Sequence, residues 1–373
     1  MRFLKFFLPL TFLATFTACE DGSGDESSVR FGDMFENMAD QIIQPRYSAF
    51  QSTVNELYTK ADVFQQDPTT LTFSELRIAF RDAYMSWQTV SAFGFGPADT
   101  FDTQLRTNLN SYPTNTVQIQ DNIANSNYNM DLPANIDGKG FPALDYIIYG
   151  WAADENQILE SYLTGNAAVQ QKAYLMAVVT DIKTRVDKVV EAWPVYRDAF
   201  VNSNGSDQNS SLSLTYNAFL VDYEQVKRNK LALPAGFAAN FGIAIDKDPE
   251  AVEGYYSEMS VALAVKNIQA LDAYYHGTTE NGDDGEGYYE KLKEYNATAT
   301  VVDGDLADAI DDQFELVETM FSQTSYDLAG VIETNNQQLK PLADELQKLV
   351  PMLKNDMRSY FSVTITASDS DGD

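Results

Sequence analysis

Residues 167–200 read AAVQQKAYLMAVVTDIKTRVDKVVEAWPVYRDAF. Leu175, Val178, Val179, Ile182, Val186, Val189, Val190 and Trp193 recur every three or four positions and therefore share one side of a long helix. Pro194 is expected to interrupt that helix late, because proline lacks an N–H and crowds the preceding turn. A stripe of this length must be buried against other helices, and the same period returns on either side of it.

Upstream, Ile42, Ile43, Tyr47, Phe50, Val54, Leu57 and Tyr58 place a helix within Phe35 to Phe64, with Pro45 kinking it or marking a late start. Phe73 to Phe93 follows, with Ser74 as the expected N-cap and Gly94, Gly96 and Pro97 ending it. Residues 98–140 are loop-rich, with a short helix expected at Thr116 to Ala124 and another at Phe141 to Trp151. Downstream, Leu212 to Leu231, Pro249 to Tyr275, Tyr288 to Tyr295, Asp305 to Phe321 and Leu328 to Phe361 read as helices. The one extended stretch expected is Val363 to Thr366. Asn202 to Ser210 is polar, small and linker-like. The expected fold is all-α, two helical-bundle domains at 34–201 and 211–365 in a duplicated four-helix-bundle arrangement, with a polar tail at 366–373.

The start of the chain reads as an address. Arg2 and Lys5 precede an apolar run, Phe6 to Phe16, too short to span a bilayer. Phe16-Thr17-Ala18-Cys19 resembles a bacterial lipobox, although Phe16 departs from the usual leucine. Residues 1–18 are expected to be a lipoprotein signal peptide, Cys19 the lipidated residue and membrane anchor, and 19–33 an acidic flexible tether. Acidic residues after such a cysteine resemble surface-export signals. An outer-membrane lipoprotein of the cell envelope is expected, facing either the periplasm or the outside.

The 373 residues carry 55 Asp and Glu against 25 Lys and Arg, a net charge of −30. A surface so acidic repels nucleic acid, so no nucleic-acid partner is expected. One cysteine excludes an internal disulfide, and one histidine, His276, argues against a zinc hydrolase, which takes two or three imidazoles at one centre. No G-x-S-x-G, phosphate loop, dinucleotide fingerprint or H-E-x-x-H is present.

Three stretches carry a family resemblance: AYMSWQTVSAFGFGP at 83–97, LNSYP at 109–113 and GFPALDYIIYG at 140–150. In order and spacing they resemble the imelysin family across the N-terminal half, and Leu231 to Gly236 with the long C-terminal helix fits more loosely. The family carries G-x-H-x-x-E where this chain has Gly140-Phe141-Pro142-Ala143-Leu144-Asp145. The resemblance implies an exported, two-domain helical protein with the motif near the domain interface. It also implies kinship both with proteins named as peptidases and with proteins tied to iron uptake.

Residues three apart on a helix share a face, so a His and an acid at that spacing can hold a metal or form a polarised pair. Here Pro142 has no ligand atom, though it suits a first helical turn. Asp145 is expected on that same first turn, either answering the helix dipole or surviving as a ligand contact. Gly140 gives backbone freedom before the helix. Trp87, beside Phe93 and Phe95, packs in the core or walls a pocket. Arg81 and Arg106 pair with Asp145, with an anionic ligand or with ordinary surface acids. Tyr112 and Tyr146 offer phenol oxygens or simply pack. The ligand-binding candidates are therefore Asp145, Pro142, Gly140, Trp87, Arg106 and Tyr112, with no catalytic residue among them. Iron is the cofactor or cargo suggested by the resemblance, and zinc is not expected. His276 reads as a helix C-cap. The acidic loops at Asp283 to Glu286, Asp303 to Asp305 and Asp369 to Asp373 lack the twelve-residue calcium pattern.

Three functions stay open. One is a ligand-binding component for a small molecule or metal, tied to iron or an iron carrier. A second is a metal-dependent peptidase of the imelysin type, disfavoured by Pro142. The third is a helical adaptor for an outer-membrane protein.

Overall fold

The chain begins its regular structure with a helix that changes pitch. Gly32–Asn37 is α-helical, Met38–Ile43 widens into a π-helical turn, and Gln44–Gln66 continues as α-helix. Pro45 lies at the opening of that last segment. It offers no N–H to the Gln41 carbonyl, which accepts instead from the Glu280 N–H at 3.3 Å. The computed structural model describes residues 29–126, 128–240 and 243–366. The expected signal peptide, Cys19, tether residues 19–28 and the acidic pattern at 369–373 lie outside the described residues.

The protein is all-α. Among the described residues its sole sheet is a pairing of Ala239–Asn240 with Ile243–Ala244. Gln44–Gln66 packs against both Thr70–Trp87 and Gly165–Asn202. After the polar stretch, Ser260–Tyr275 packs on Leu306–Ser322, which packs in turn on Lys340–Pro351. Ser260–Tyr275 also touches Thr70–Trp87, and the buried apolar residues form one cluster from Met34 to Val363. The described residues from Phe31 onward belong to one compact unit.

Several local expectations are corrected. Pro194 does not interrupt the long helix, which runs from Gly165 to Asn202. Pro194 is exposed while Trp193 and Phe200 are buried, so packing on both sides outweighs one lost hydrogen bond on the wet face. The N-cap of Thr70–Trp87 is Thr69, not Ser74. Thr69 Oγ1 accepts from Thr72 N–H at 3.2 Å and Thr72 Oγ1 accepts from Thr69 N–H at 3.0 Å. Pro249 to Tyr275 is not one helix: a 3-10 turn at Pro249–Ala251 leads into irregular turns, and the helix starts at Ser260. Residues 363–366 form no strand; Asn217 pins them by donating to Thr364 O and accepting from Thr366 N–H.

Gly140 opens the short Gly140–Asp145 helix with φ of +73°. A Cβ there would lie 2.3 Å from the Leu109 carbonyl oxygen. The glycine is required both by its left-handed backbone and by the approach of the neighbouring chain. Gly140→Ala is expected to cost at least about 2 kcal/mol, read as a lower urea midpoint with an unchanged slope. An unchanged midpoint would show that the turn relaxes freely.

Candidate functional site

Pro142 sits in the first turn of Gly140–Asp145, as expected. Asp145 does not: it is six residues in, on the second turn, where the segment widens into the π-helical Tyr146–Gly150. Its carboxylate does not answer its own helix. Oδ2 accepts from Tyr256 N–H and Oδ1 from Ser257 N–H, each at 2.9 Å. The group is 2% exposed. Burial pushes the Asp145 carboxyl up to about 7, opposed by the hydrogen bonds from Ser257 and Tyr256, which favour the charge.

Pro142 and Asp145 both line a cavity of about 80 Å³, as their three-residue spacing requires. Its other walls include Tyr112, Glu250, Tyr255 and Tyr256. Pro142 contributes only ring carbons. Among the described residues, no group of three His, Cys, Asp or Glu ligand atoms gathers at Asp145. On the far side of Ser257 lies an open groove of about 610 Å³ between Thr70–Trp87 and Ser260–Tyr275. Arg81, Lys266, Met85, Val261, Val265 and Tyr326 line it, with Glu258.

Tyr112 also faces a second space, of about 10 Å³, enough for one water. Trp87 and Arg106 line it. Trp87 Nε1 and the Tyr112 hydroxyl are buried without a hydrogen-bond partner, and burial holds the Tyr112 phenol well above its ordinary range. Arg106 pairs neither with Asp145 nor with a surface acid. It donates to fully buried Asp222 at 2.7 Å and to the Ser91 carbonyl at 2.6 Å. The other Asp222 oxygen accepts from Ser91 Oγ at 3.0 Å and Asn267 Nδ2 at 2.6 Å.

Beside this cluster lies a buried Lys230–Glu253 pair, 3% and 1% exposed. Gln88 bridges it, donating to Glu253 at 2.9 Å and accepting from Lys230 at 2.8 Å. Asn110 donates to Glu253 at 2.7 Å and accepts from the Tyr84 hydroxyl at 2.9 Å. Sequence reasoning missed Gln88, Asp222, Lys230, Glu253 and Asn267. Asp222 carried a signal: an acid within LSLTYNAFLVDYE, apolar nearly all round, must find a buried partner. Glu253 carried none, because it lay in a stretch read as helix.

Of the predicted residues, then, Asp145, Pro142 and Tyr112 share one cavity, and Tyr112, Trp87 and Arg106 share the next. Gly140 stands apart, against the backbone at 108–109.

The all-helical core holds a buried polar layer, and its G-x-P-x-x-D segment stands where the imelysin family carries G-x-H-x-x-E. The family model described as imelysin (peptidase M75) matches residues 43–353, and the chain belongs to the imelysin family. It is 22% identical over 331 residues to iron-regulated protein A of Synechococcus elongatus, covering 86% of this chain and 81% of the relative. Among solved structures it resembles a protein described as an iron-regulated protein A precursor from Parabacteroides distasonis. The TM-score is 0.70 at 17% identity, over 89% of this chain and 95% of that one. It also resembles an imelysin-like protein from Psychrobacter arcticum, with a TM-score of 0.67 at 17% identity over 90% and 96%. These likenesses confirm the all-helical fold.

Two measurements follow from this geometry. Lys230→Met leaves the Glu253 carboxylate without its cation and is expected to cost about 3–5 kcal/mol. Lys230→Met with Glu253→Leu should recover much of that loss in urea unfolding, and no recovery would refute a pairing role. For Asp145, the unfolded carboxyl titrates at about 3.9, so between about pH 4 and 7 the unfolded chain has lost a proton the folded chain keeps. Wild type should therefore lose stability relative to Asp145→Asn as pH rises through that window. Parallel pH profiles for the two proteins would contradict it.

Proposed function

We propose that this imelysin-family chain is a cell-envelope binding component that seats an anionic metal chelate, of the ferric-carboxylate kind, in the groove beside Asp145. The observation that carries this is the groove itself. In a chain of net charge −30, Arg81 and Lys266 both line one open space of about 610 Å³ with an apolar floor of Met85, Val261 and Val265. Two cations over apolar walls suit a multiply charged anion with a carbon skeleton. Asp145 holds Ser257, another lining residue, by its backbone N–H. The name of the Synechococcus relative, iron-regulated protein A, supports iron as the metal. The tyrosines and Glu250 of the adjoining cavity offer oxygen donors suited to a hard cation.

A metal-dependent peptidase needs a metal with an open position and a bound water. The family's histidine position is Pro142, and both Asp145 oxygens already accept backbone N–H groups. Hydrolysis is therefore the weaker reading of this site. Delivery to the envelope rests on the signal peptide and lipidated Cys19 expected from the sequence.

Isothermal titration with ferric citrate should show one saturable site, weakened at least about tenfold by Arg81→Ala or Lys266→Ala. Denatured protein substrates should stay intact with or without divalent metals. Metal-dependent proteolysis abolished by Asp145→Asn, or ferric citrate binding indifferent to Arg81 and Lys266, would overturn the proposal.

A further inference from the structure

At the other end of the Ser260–Tyr275 helix, which is about 24 Å long, stands the chain's sole histidine. His276 caps this helix, and Asp272 lies four residues before it, one turn below on the same face. Asp311 comes from Leu306–Ser322, the helix packed alongside. His276 Nε2 lies 3.0 Å from Asp311 Oδ1 and 3.7 Å from Asp272 Oδ1, and one ligand atom from each residue falls within 4.8 Å of the others. We propose that Asp272, His276 and Asp311 form a binding site for one divalent first-row cation, independent of the groove.

Ligand atoms bonded to one such cation at about 2.1 Å, at octahedral or tetrahedral angles, lie about 3.0–3.4 Å apart. The His276–Asp311 separation of 3.0 Å matches that spacing, the His276–Asp272 separation of 3.7 Å exceeds it slightly, and the three atoms lie within 4.8 Å of one another, so side-chain adjustment closes the site. A protonated imidazole is the competing explanation: it lies within ion-pair distance of both carboxylates but leaves one oxygen without a hydrogen bond. The Nε2 proton serves Asp311, while Asp272 Oδ1 is buried, has no hydrogen-bond donor, and is too far from Nε2 to share that proton. A cation answers both carboxylates at once.

The imidazole is also held in place. Its ring lies over Tyr289 at 4.7 Å between centroids and meets Tyr275 edge-on at 5.2 Å. Tyr275 is fixed by its hydroxyl to Ala307 O, and Tyr289 by its hydroxyl to Asp308. These ring contacts restrict the orientation of the imidazole. The side chains are 22%, 35% and 45% exposed for His276, Asp272 and Asp311, leaving room for entry and for water ligands. Glu315 and Glu318 add negative potential around Asp272. One nitrogen with two carboxylates is an oxygen-rich donor set, favouring Mn²⁺ or Fe²⁺ over softer ions.

A sole histidine makes the test specific. Mn²⁺ added to the purified chain should broaden the single pair of imidazole C–H proton signals at substoichiometric metal. Titration calorimetry should find one Mn²⁺ per chain, with affinity falling at least about tenfold in His276→Gln and in Asp311→Asn. Both positions are partly exposed, and circular dichroism of each variant checks the fold. Imidazole signals that stay sharp in excess Mn²⁺, or equal affinity in wild type and both folded variants, would overturn the site.

Discussion

Three buried carboxylates, Asp222, Glu253 and Asp145, are answered from across the Asn202–Ser210 stretch, and that requirement fixes how the segments carrying them meet. Arg106 needs Asp222, Glu253 needs Gln88 and Asn110, and the Asp145 carboxylate needs the Tyr256 and Ser257 N–H groups. A buried ion left alone costs several kcal/mol, and unlike apolar packing it demands a partner at one particular position. The apolar cluster supplies most of the drive to collapse. The polar layer rejects registers in which a carboxylate would face hydrocarbon.

Pro142 and Asp145 show how the spacing of a motif can persist on a different pair of side chains. The i, i+3 spacing survives: Pro142 and Asp145 still line one cavity. Proline is tolerated because, at the third residue of a helix, its missing N–H had no intrahelical acceptor to lose. The acid clamps the turn that leads into the Ser260–Tyr275 helix. Its two acceptors hold two N–H groups that a turn cannot otherwise satisfy.

The helices were legible because a three-to-four period records burial directly, and the long Gly165–Asn202 stripe shows it best. The ends were less so. Pro194 was overruled by packing at Trp193 and Phe200, a tertiary effect that no local pattern contains. The π-helical turns at Met38–Ile43, Tyr146–Gly150, Gln225–Ala232 and Met352–Met357 shift side-chain phase by one residue, a change smaller than the scatter of a hydrophobic stripe. Within the site, Trp87 and Tyr112 could be nominated because they lie in stretches that resemble the family, and Arg106 because it is a cation in an acid-rich chain. Asp222 and Glu253 could not be paired with them, since their partners lie 116 and 165 residues away.

The two ends of the Ser260–Tyr275 helix illustrate why composition alone misleads about charge. A net charge of −30 suggests a uniformly repulsive surface, yet its effect depends on where the neutralising groups stand. At the start of the helix, Arg81 and Lys266 set cations over apolar walls, an environment for anions. At its end, Asp272 and Asp311 converge on one imidazole with a carboxylate oxygen unanswered, an environment for a cation. At physiological ionic strength these fields are screened over about 8 Å, far less than the helix length. The two ends are therefore electrically separate, and each must be understood from its own neighbours rather than from the sum.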